Sequence, residues 1–284
     1  MLLPFSLGLK KDNTLIKFRN MTDYEFKQWL VGFIDGEGCF RIAINNKNKV
    51  ISFNLTIGLH VDDLEALEFI RNRLKCGNVF IDKGVTTFHL TKINDIQNIL
   101  IPLLDEFPLN GVKYLDYLAF KQAINIKLDS LVKQSDKLEL ITQIKNRMNT
   151  RRVDFTMSSS HTIRITPYWL LGFIEGEGSF FFNYTNMGVG FSITLTSSQA
   201  PLINAIKNFL DSYLIEDVHL KASPVYKEII SQRTSLHTKK KSTENANTAI
   251  ILQLKRVNFI LDKFIPLLSN LSFVTKKYQD FLDF

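Results

Sequence analysis

Cysteine is almost missing. Cys39 and Cys76 are the two in 284 residues, and neither stands in a CxxC pair or a Cys/His cluster of zinc-ligand spacing, which argues against a disulfide framework and a zinc finger. Long apolar runs are missing too: no stretch reaches the roughly 20 residues that a membrane helix requires. The opening MLLPFSLGLKK is broken by Pro4 and lacks both a positive start and a small-residue cleavage site, so it does not read as a secretory signal, and no membrane partner is expected. Alanine, glycine and proline are scarce while Asn, Ile, Lys and Phe abound, a bias that AT-rich genes produce and that points to an organellar genome. Acidic residues are outnumbered, 28 against 35 Lys and Arg, and the net charge of +7 favours a polyanionic partner. Hydrophobic (45%) and charged (22%) fractions are those of an ordinary globular chain and argue against collagen and wholesale disorder.

What is there is there twice. WLVGFIDGEGCF at 29–40 returns as WLLGFIEGEGSF at 169–180, and TKINDIQNILIPLL at 91–104 returns as KRVNFILDKFIPLL at 255–268. Both repeats close on a Lys-Tyr, at 113–114 and 277–278. Two tandem domains are expected, 21–126 and 166–284, with an N-terminal extension over 1–20 and a charged linker over 127–165 whose centre, Ser135 to Asn149, has a helical pattern. Within each repeat the order reads helix, strand, strand, helix, strand, strand, helix, an α+β fold with two antiparallel sheets. In 39–45, Phe40, Ile42 and Ile44 alternate with Arg41, Ala43 and Asn45; in 51–59, five apolar residues form one face and Ser52, Asn54 and Thr56 a polar one. Asp82-Lys83-Gly84 reads as a hairpin turn, and 222–248, basic around RTSLHTKKK, reads as an insertion.

The motif has its own chemistry. Gly32 and Gly36 share a helix face, as do Gly172 and Gly176, and glycine costs a helix about 1 kcal/mol against alanine. Close backbone contact between the two motif helices accounts for that cost. Gly38 and Gly178 then end the helices as C-terminal glycines do, which puts Glu37 and Glu177 at two adjacent helix C-termini. The helix dipole and mutual repulsion both disfavour such carboxylates, and a divalent cation such as Mg²⁺ relieves both, with the Gly36 and Gly176 carbonyls as additional oxygen ligands. Asp35 and Glu175, about 200° around the helix, face elsewhere and are read as structural.

These residues resemble the LAGLIDADG homing endonucleases in their single-chain, two-motif form. The resemblance implies two αββαββα domains forming a saddle whose polar sheet faces lie along the major groove of double-stranded DNA. It implies Glu37 and Glu177 as metal ligands, Lys92 and Arg256 as basic residues beside the scissile phosphates, a monomer, and a mitochondrial, intron-encoded enzyme that leaves 3′ overhangs. The positions where a polar residue often orients water match Leu59 and Leu195, a departure from the family pattern.

Base reading is expected from Arg41, Asn45, Ser52, Asn54 and Thr56 in the first copy and Asn183, Thr185, Ser192 and Thr194 in the second, because a β-ribbon can enter the major groove. Arg41 faces Phe181 in the alignment, so a pseudo-palindromic but asymmetric target follows. Two other functions fit the same fold: an RNA maturase acting on a group I intron, and a non-cleaving DNA-binding protein. The intact acids argue against the second of these but not the first.

Overall fold

Thr22 starts the first helix. Its hydroxyl accepts from the Glu25 amide while the Glu25 carboxylate accepts from the Thr22 amide at 2.8 Å, a reciprocal cap that fixes the N-terminus of α1, Asp23–Glu37. The second motif helix, α6 (Pro167–Glu177), opens on Thr166, whose hydroxyl accepts from the Trp169 amide, and on proline at the first helical position. The structure is a computed structural model, and it describes residues 21–45, 47–183, 188–213, 234–239 and 248–284.

After α1 come β1 (Gly38–Asn45), β2 (Val50–His60), α2 (Leu64–Leu74), β3 (Asn78–Asp82) and β4 (Val85–Leu90). Helix α3 begins as Ile93–Asp95, passes a π-helical turn at Ile96–Leu100 and finishes as Ile101–Glu106; α4 is Lys113–Leu128 and α5 is Gln134–Lys145. The second copy repeats the plan with β5 (Gly178–Asn183), β6 (Gly188–Thr196), α7 (Ala200–Tyr213), β7 (Thr234–Lys239), β8 (Ala249–Leu254), the π-turned α8 (Val257–Phe259, Ile260–Phe264, Ile265–Ser269) and α9 (Lys277–Asp283). Each copy makes one antiparallel four-stranded sheet, in the orders β1-β2-β4-β3 and β5-β6-β8-β7. The α+β expectation is met. The expected hairpin is present, with both Lys83 (φ 46°) and Gly84 (φ 82°) left-handed, as a two-residue connection between twisted strands demands.

The alternation read in β1 and β2 decides which face is buried. Phe40, Phe53, Leu55 and Ile57 lie under α2 to α4 against Leu67, Ile70, Leu104 and Phe120, all at 2% exposure or less, while Arg41, Ser52 and the other residues of the opposite face look outward. In the second copy Phe191, Ile193, Leu252 and Leu254 do the same against Ile203, Ile206 and Phe264. Among the described residues no helix is long and apolar enough to cross a membrane.

Three expectations need adjustment. Gly38 and Gly178 do end their helices, but in extended rather than left-handed conformation (φ −70°, ψ 146° and φ −78°, ψ 147°); glycine is required there by close approach, since a Cβ would lie 2.7 and 2.6 Å from the carbonyl oxygens of Ile34 and Ile174. The stretch 222–248 is not wholly an insertion: Thr234–Lys239 is the edge strand β7, and charge along an edge strand is compatible with a sheet. The rest of that stretch, apart from Thr248, lies outside the described residues, as does 1–20. The helix of 127–165 stops at Lys145, and the segment is not a free tether. Ile141 and Met148 are buried, and Asn149 (φ 56°) donates its side-chain amide to the Phe40 carbonyl at 2.9 Å, closing part of the open edge of β1. Arg152 then pairs with Asp116 at 2.8 Å.

Candidate active site at the motif helix pair

The glycines explain how α1 and α6 meet. A Cβ on Gly32 would lie 2.0 Å from the Trp169 carbonyl oxygen, and one on Gly172 would lie 2.0 Å from that of Trp29, so the two helices touch backbone to backbone. One turn on, a Cβ on Gly36 would lie 3.5 Å from the Gly176 Cα. Beyond that point each glutamate leans over the other helix: Glu37 Cγ is 3.1 Å from the Cβ position of Gly176, and Glu177 Cγ is 3.5 Å from that of Gly36. The pair expected from sequence is brought together. Burial, and for Glu37 also the facing Glu177, pushes both carboxyls above the ordinary glutamate range.

Asp35 and Glu175 hold this frame. Asp35 accepts from the Asn110 and Gly111 amides (2.7 and 3.1 Å) and from the Trp169 indole (3.1 Å). Glu175 accepts from the Val274 and Thr275 amides (2.8 and 2.5 Å) and from the Trp29 indole (2.5 Å). Each acid therefore ties its own domain's last helix to the partner domain's motif helix, the structural role expected for them. Burial outweighs these donors and raises Asp35 to about 6 and Glu175 to about 7.

That tie positions a residue the motif did not reveal. Two residues past Gly111, Lys113 reaches back to the Ile34 carbonyl (3.3 Å) and to the Gly36 carbonyl. Its ammonium is destabilised by burial and favoured by Asp35, Glu177 and Glu37, with burial prevailing, so its pKa lies below the ordinary lysine value. Lys277, its counterpart two residues past Thr275, lines an open cleft with Glu37, Leu59 and His60. The signal was in the sequence: the Lys-Tyr that closes both repeats.

The same geometry sets Lys92 apart from this cleft. The Val85 end of β4 borders the Glu37 cleft, and Lys92 follows the opposite end, seven residues or roughly 23 Å away along an extended strand. Arg256 follows the corresponding C-terminal end of β8. The strand-helix junction of the first copy thus sits at the end of β4 away from Val85 and the cleft. Leu195 is 4% exposed and Leu59 packs at the core margin, so neither orients water. The polar groups beside them are His60, Asp62 and Asp63 in one copy and Thr196, Ser198 and Gln199 in the other. Gly36 O already accepts from Lys113, so the oxygen set for a cation rests on the two glutamates first. Among the described residues no three His, Cys, Asp or Glu side chains converge on one point. Two partly exposed carboxylates, Glu37 bordering the open cleft, fit Mg²⁺, which keeps several waters and takes its remaining oxygens from substrate.

On the outer face of the first sheet Arg41, Asn45 and Ser52 are exposed, and Asn54 and Thr56 are half-buried. Arg41 lies opposite Asn54, and Thr56 opposite His89. His89, missed by the sequence reading, has Nδ1 2.8 Å from Asn54 Nδ2 and Nε2 3.1 Å from Thr87 Oγ1, which fits a neutral ring with its proton on Nε2. Burial and the Arg41 charge lower its pKa in keeping with that. Asn54 Oδ1 and Thr56 Oγ1 are buried with no hydrogen-bond partner among the described residues, polar atoms with capacity to spare on this face. In the second sheet Ser192 and Thr194 face outward opposite Gln253 and Ile251, alongside Ser235, His237 and Lys239. Asn183 ends β5, and Thr185 lies outside the described residues.

Residues 30–124 and 170–239 match the LAGLIDADG endonuclease family. The chain belongs to that family. Uncharacterized mitochondrial protein RF1 of Saccharomyces cerevisiae is 28% identical over 279 residues, covering 96% of this chain and 56% of that protein. Probable intron-encoded endonuclease Cox1-I1b of Schizosaccharomyces pombe is 34% identical over 197 residues, 66% of this chain and 50% of that protein. The chain thus spans about half the length of these relatives. Among solved structures, I-SmaMI bound to an uncleaved DNA target with calcium ions aligns with a TM-score of 0.70 at 19% identity, over 90% of this chain and 88% of that one. I-GzeII in complex with its DNA target aligns at 0.68 with 24% identity, over 90% and 87%. In this LAGLIDADG chain the two motif helices and the two sheets follow that shared fold.

Proposed function

We propose that the chain is a site-specific double-strand DNA endonuclease, intron-encoded and mitochondrial, that acts as a monomer on an asymmetric, pseudo-palindromic target. The observation that carries this reading is the contact of Glu37 and Glu177 with each other's motif glycine at the centre of two outward polar sheets. When bound between these carboxylates, a divalent cation, with Mg²⁺ the best match, supplies Lewis acidity toward a phosphate and toward water. The rest falls to the chain. The sheet faces bind and orient the duplex. The helix pair holds its two carboxylates at the pseudo-two-fold axis, where the two backbones of a duplex present symmetry-related phosphates. Lys113 and Lys277 place positive charge at the reacting centre as negative charge develops in the transition state.

The relatives named as intron-encoded endonucleases and the mitochondrial relative support this assignment. Its test is selection from a randomised duplex library with Mg²⁺. Recovery of one asymmetric site, cut on both strands, is the expected result; binding without cutting of either strand would leave a DNA-binding protein instead.

A further inference from the structure

The two clefts beside the glutamates are framed alike and charged differently. Segment HVDDL at 60–64 in the first copy corresponds to TSSQA at 196–200 in the second, and Val112-Lys113 corresponds to Lys276-Lys277. Each copy seats the start of the other copy's last helix on the same acceptor position. Asp63 Oδ1 accepts from the Lys276 amide at 2.6 Å, and Gln199 Oε1 accepts from the Val112 amide at 3.3 Å. Around these matching bonds the side chains diverge. Lys276 Nζ lies 3.1 Å from Asp62 Oδ2 and 3.4 Å from His60 Nδ1, and His60 Nδ1 is 3.0 Å from the same Asp62 oxygen. The equivalent pair on the other side is two hydroxyls, Thr196 and Ser198, 2.9 Å apart, with Val112 in the place of the lysine.

We propose that Lys276 is an additional phosphate-binding residue in the cleft that holds Glu37, and that it makes the two strands of the target unequal substrates. The cleft, about 560 Å³, is lined by Glu37, His60, Asp63, Lys276 and Lys277. Gly58, His60 and Val85, on its wall, lie on the same sheet face as Arg41 and Thr56, so it opens toward the bound duplex. Asp63 is 8% exposed and fixes the root of Lys276, while Asp62 holds the ammonium at the cleft mouth. That ion pair is solvated, with side-chain exposures of 47% for Lys276 and 59% for Asp62, and a pair of this kind gives up its cation to a phosphate at little cost. A lysine is a compact point charge with donors to spare, suited to a phosphate oxygen. Val112 supplies no such charge on the other side.

This inference rests on the endonuclease reading and is tested with the full chain and a plasmid bearing the recovered site, each strand end-labelled separately. Lys276→Val is expected to slow cutting of one strand by roughly tenfold, the size of one charge-assisted contact, and to leave the other strand unchanged. Lys276→Arg, which keeps the charge, is expected to retain the faster cut, and Val112→Lys to speed the slower strand. Equal slowing of both strands by Lys276→Val, or slowing of neither, overturns the proposal while leaving the endonuclease reading intact. Failure of the unaltered protein to nick either strand overturns both.

Discussion

The indole of Trp29 in the first repeat donates to the carboxylate of Glu175 in the second at 2.5 Å, and Trp169 returns the same bond to Asp35 at 3.1 Å. Two buried acids thus join the halves and simultaneously seat the turns that carry Lys113 and Lys277. The frame and the chemistry share atoms, which shapes what each substitution should do.

Stability should fall as pH rises through the neutral range. Burial raises Asp35 from 3.8 to about 6 and Glu175 from 4.5 to about 7, so the folded state holds these protons more tightly than the unfolded chain. Their contribution is fully present below the ordinary carboxylate range and is lost as pH climbs through about 6 and 7. Urea unfolding from pH 4.5 to 8 should show a decline from Glu175 on the order of 2–3 kcal/mol, flattened in Glu175→Gln. An identical slope in that variant would show that Glu175 does not titrate in this window.

Gly172→Ala should destabilise by about 3 kcal/mol or more, because the new methyl would lie 2.0 Å from a backbone carbonyl that cannot move without separating the helices. Gly58→Ala is the control. Its Cβ would meet only Thr87 Cγ2 at 3.7 Å, ordinary contact distance, and its melting temperature should stay close to that of the unaltered chain.

Glu37→Gln and Glu177→Gln should each abolish Mg²⁺-dependent cutting while DNA affinity, measured by gel shift, is kept or raised by the loss of a charge that repels phosphate. Undiminished cutting by either variant would remove that glutamate from the reacting centre.

Lys113→Ala should slow cutting by about 10²-fold or more, whereas Lys92→Ala, at the far end of β4, should leave the cutting rate within about twofold and affect only salt-dependent binding. The reverse ranking in single-turnover assays would restore the strand-helix junction as the basic site.

Arg41→Ala should relax base preference in one half-site only, at about 1–3 kcal/mol for a lost bidentate contact. His89→Ala should loosen the same half-site by freeing Asn54. Selection on randomised half-sites checks both, and equal relaxation of the two halves would contradict the sheet-face assignment.

The repeated motif, the sheet alternation and the glycine spacing were legible in the sequence because each is a local regularity. Period 2 fixes a strand's faces, and a four-residue glycine interval fixes a helix's seam. From these came the α+β plan, the pairing of Glu37 with Glu177, and the outward placement of Arg41, Ser52, Asn54, Ser192 and Thr194. The family resemblance pointed to basic residues near the phosphates and, through the strand-helix junction, to Lys92 and Arg256. Lys92 adjoins a strand and so looked close to the site, yet which end of a strand meets the helix pair depends on sheet order, and β4 runs away from Glu37. Lys113 lies 76 residues from Glu37 in the chain and reaches its place only because Asp35 holds the Asn110-Gly111 turn. His89 meets Asn54 only through the β2–β4 register. The sequence alone determined the fold, its internal symmetry and the acids. Tertiary structure decided which lysines join them: the repeated Lys-Tyr marks Lys113 and Lys277, but only hydrogen bonds between distant segments bring them to the acids.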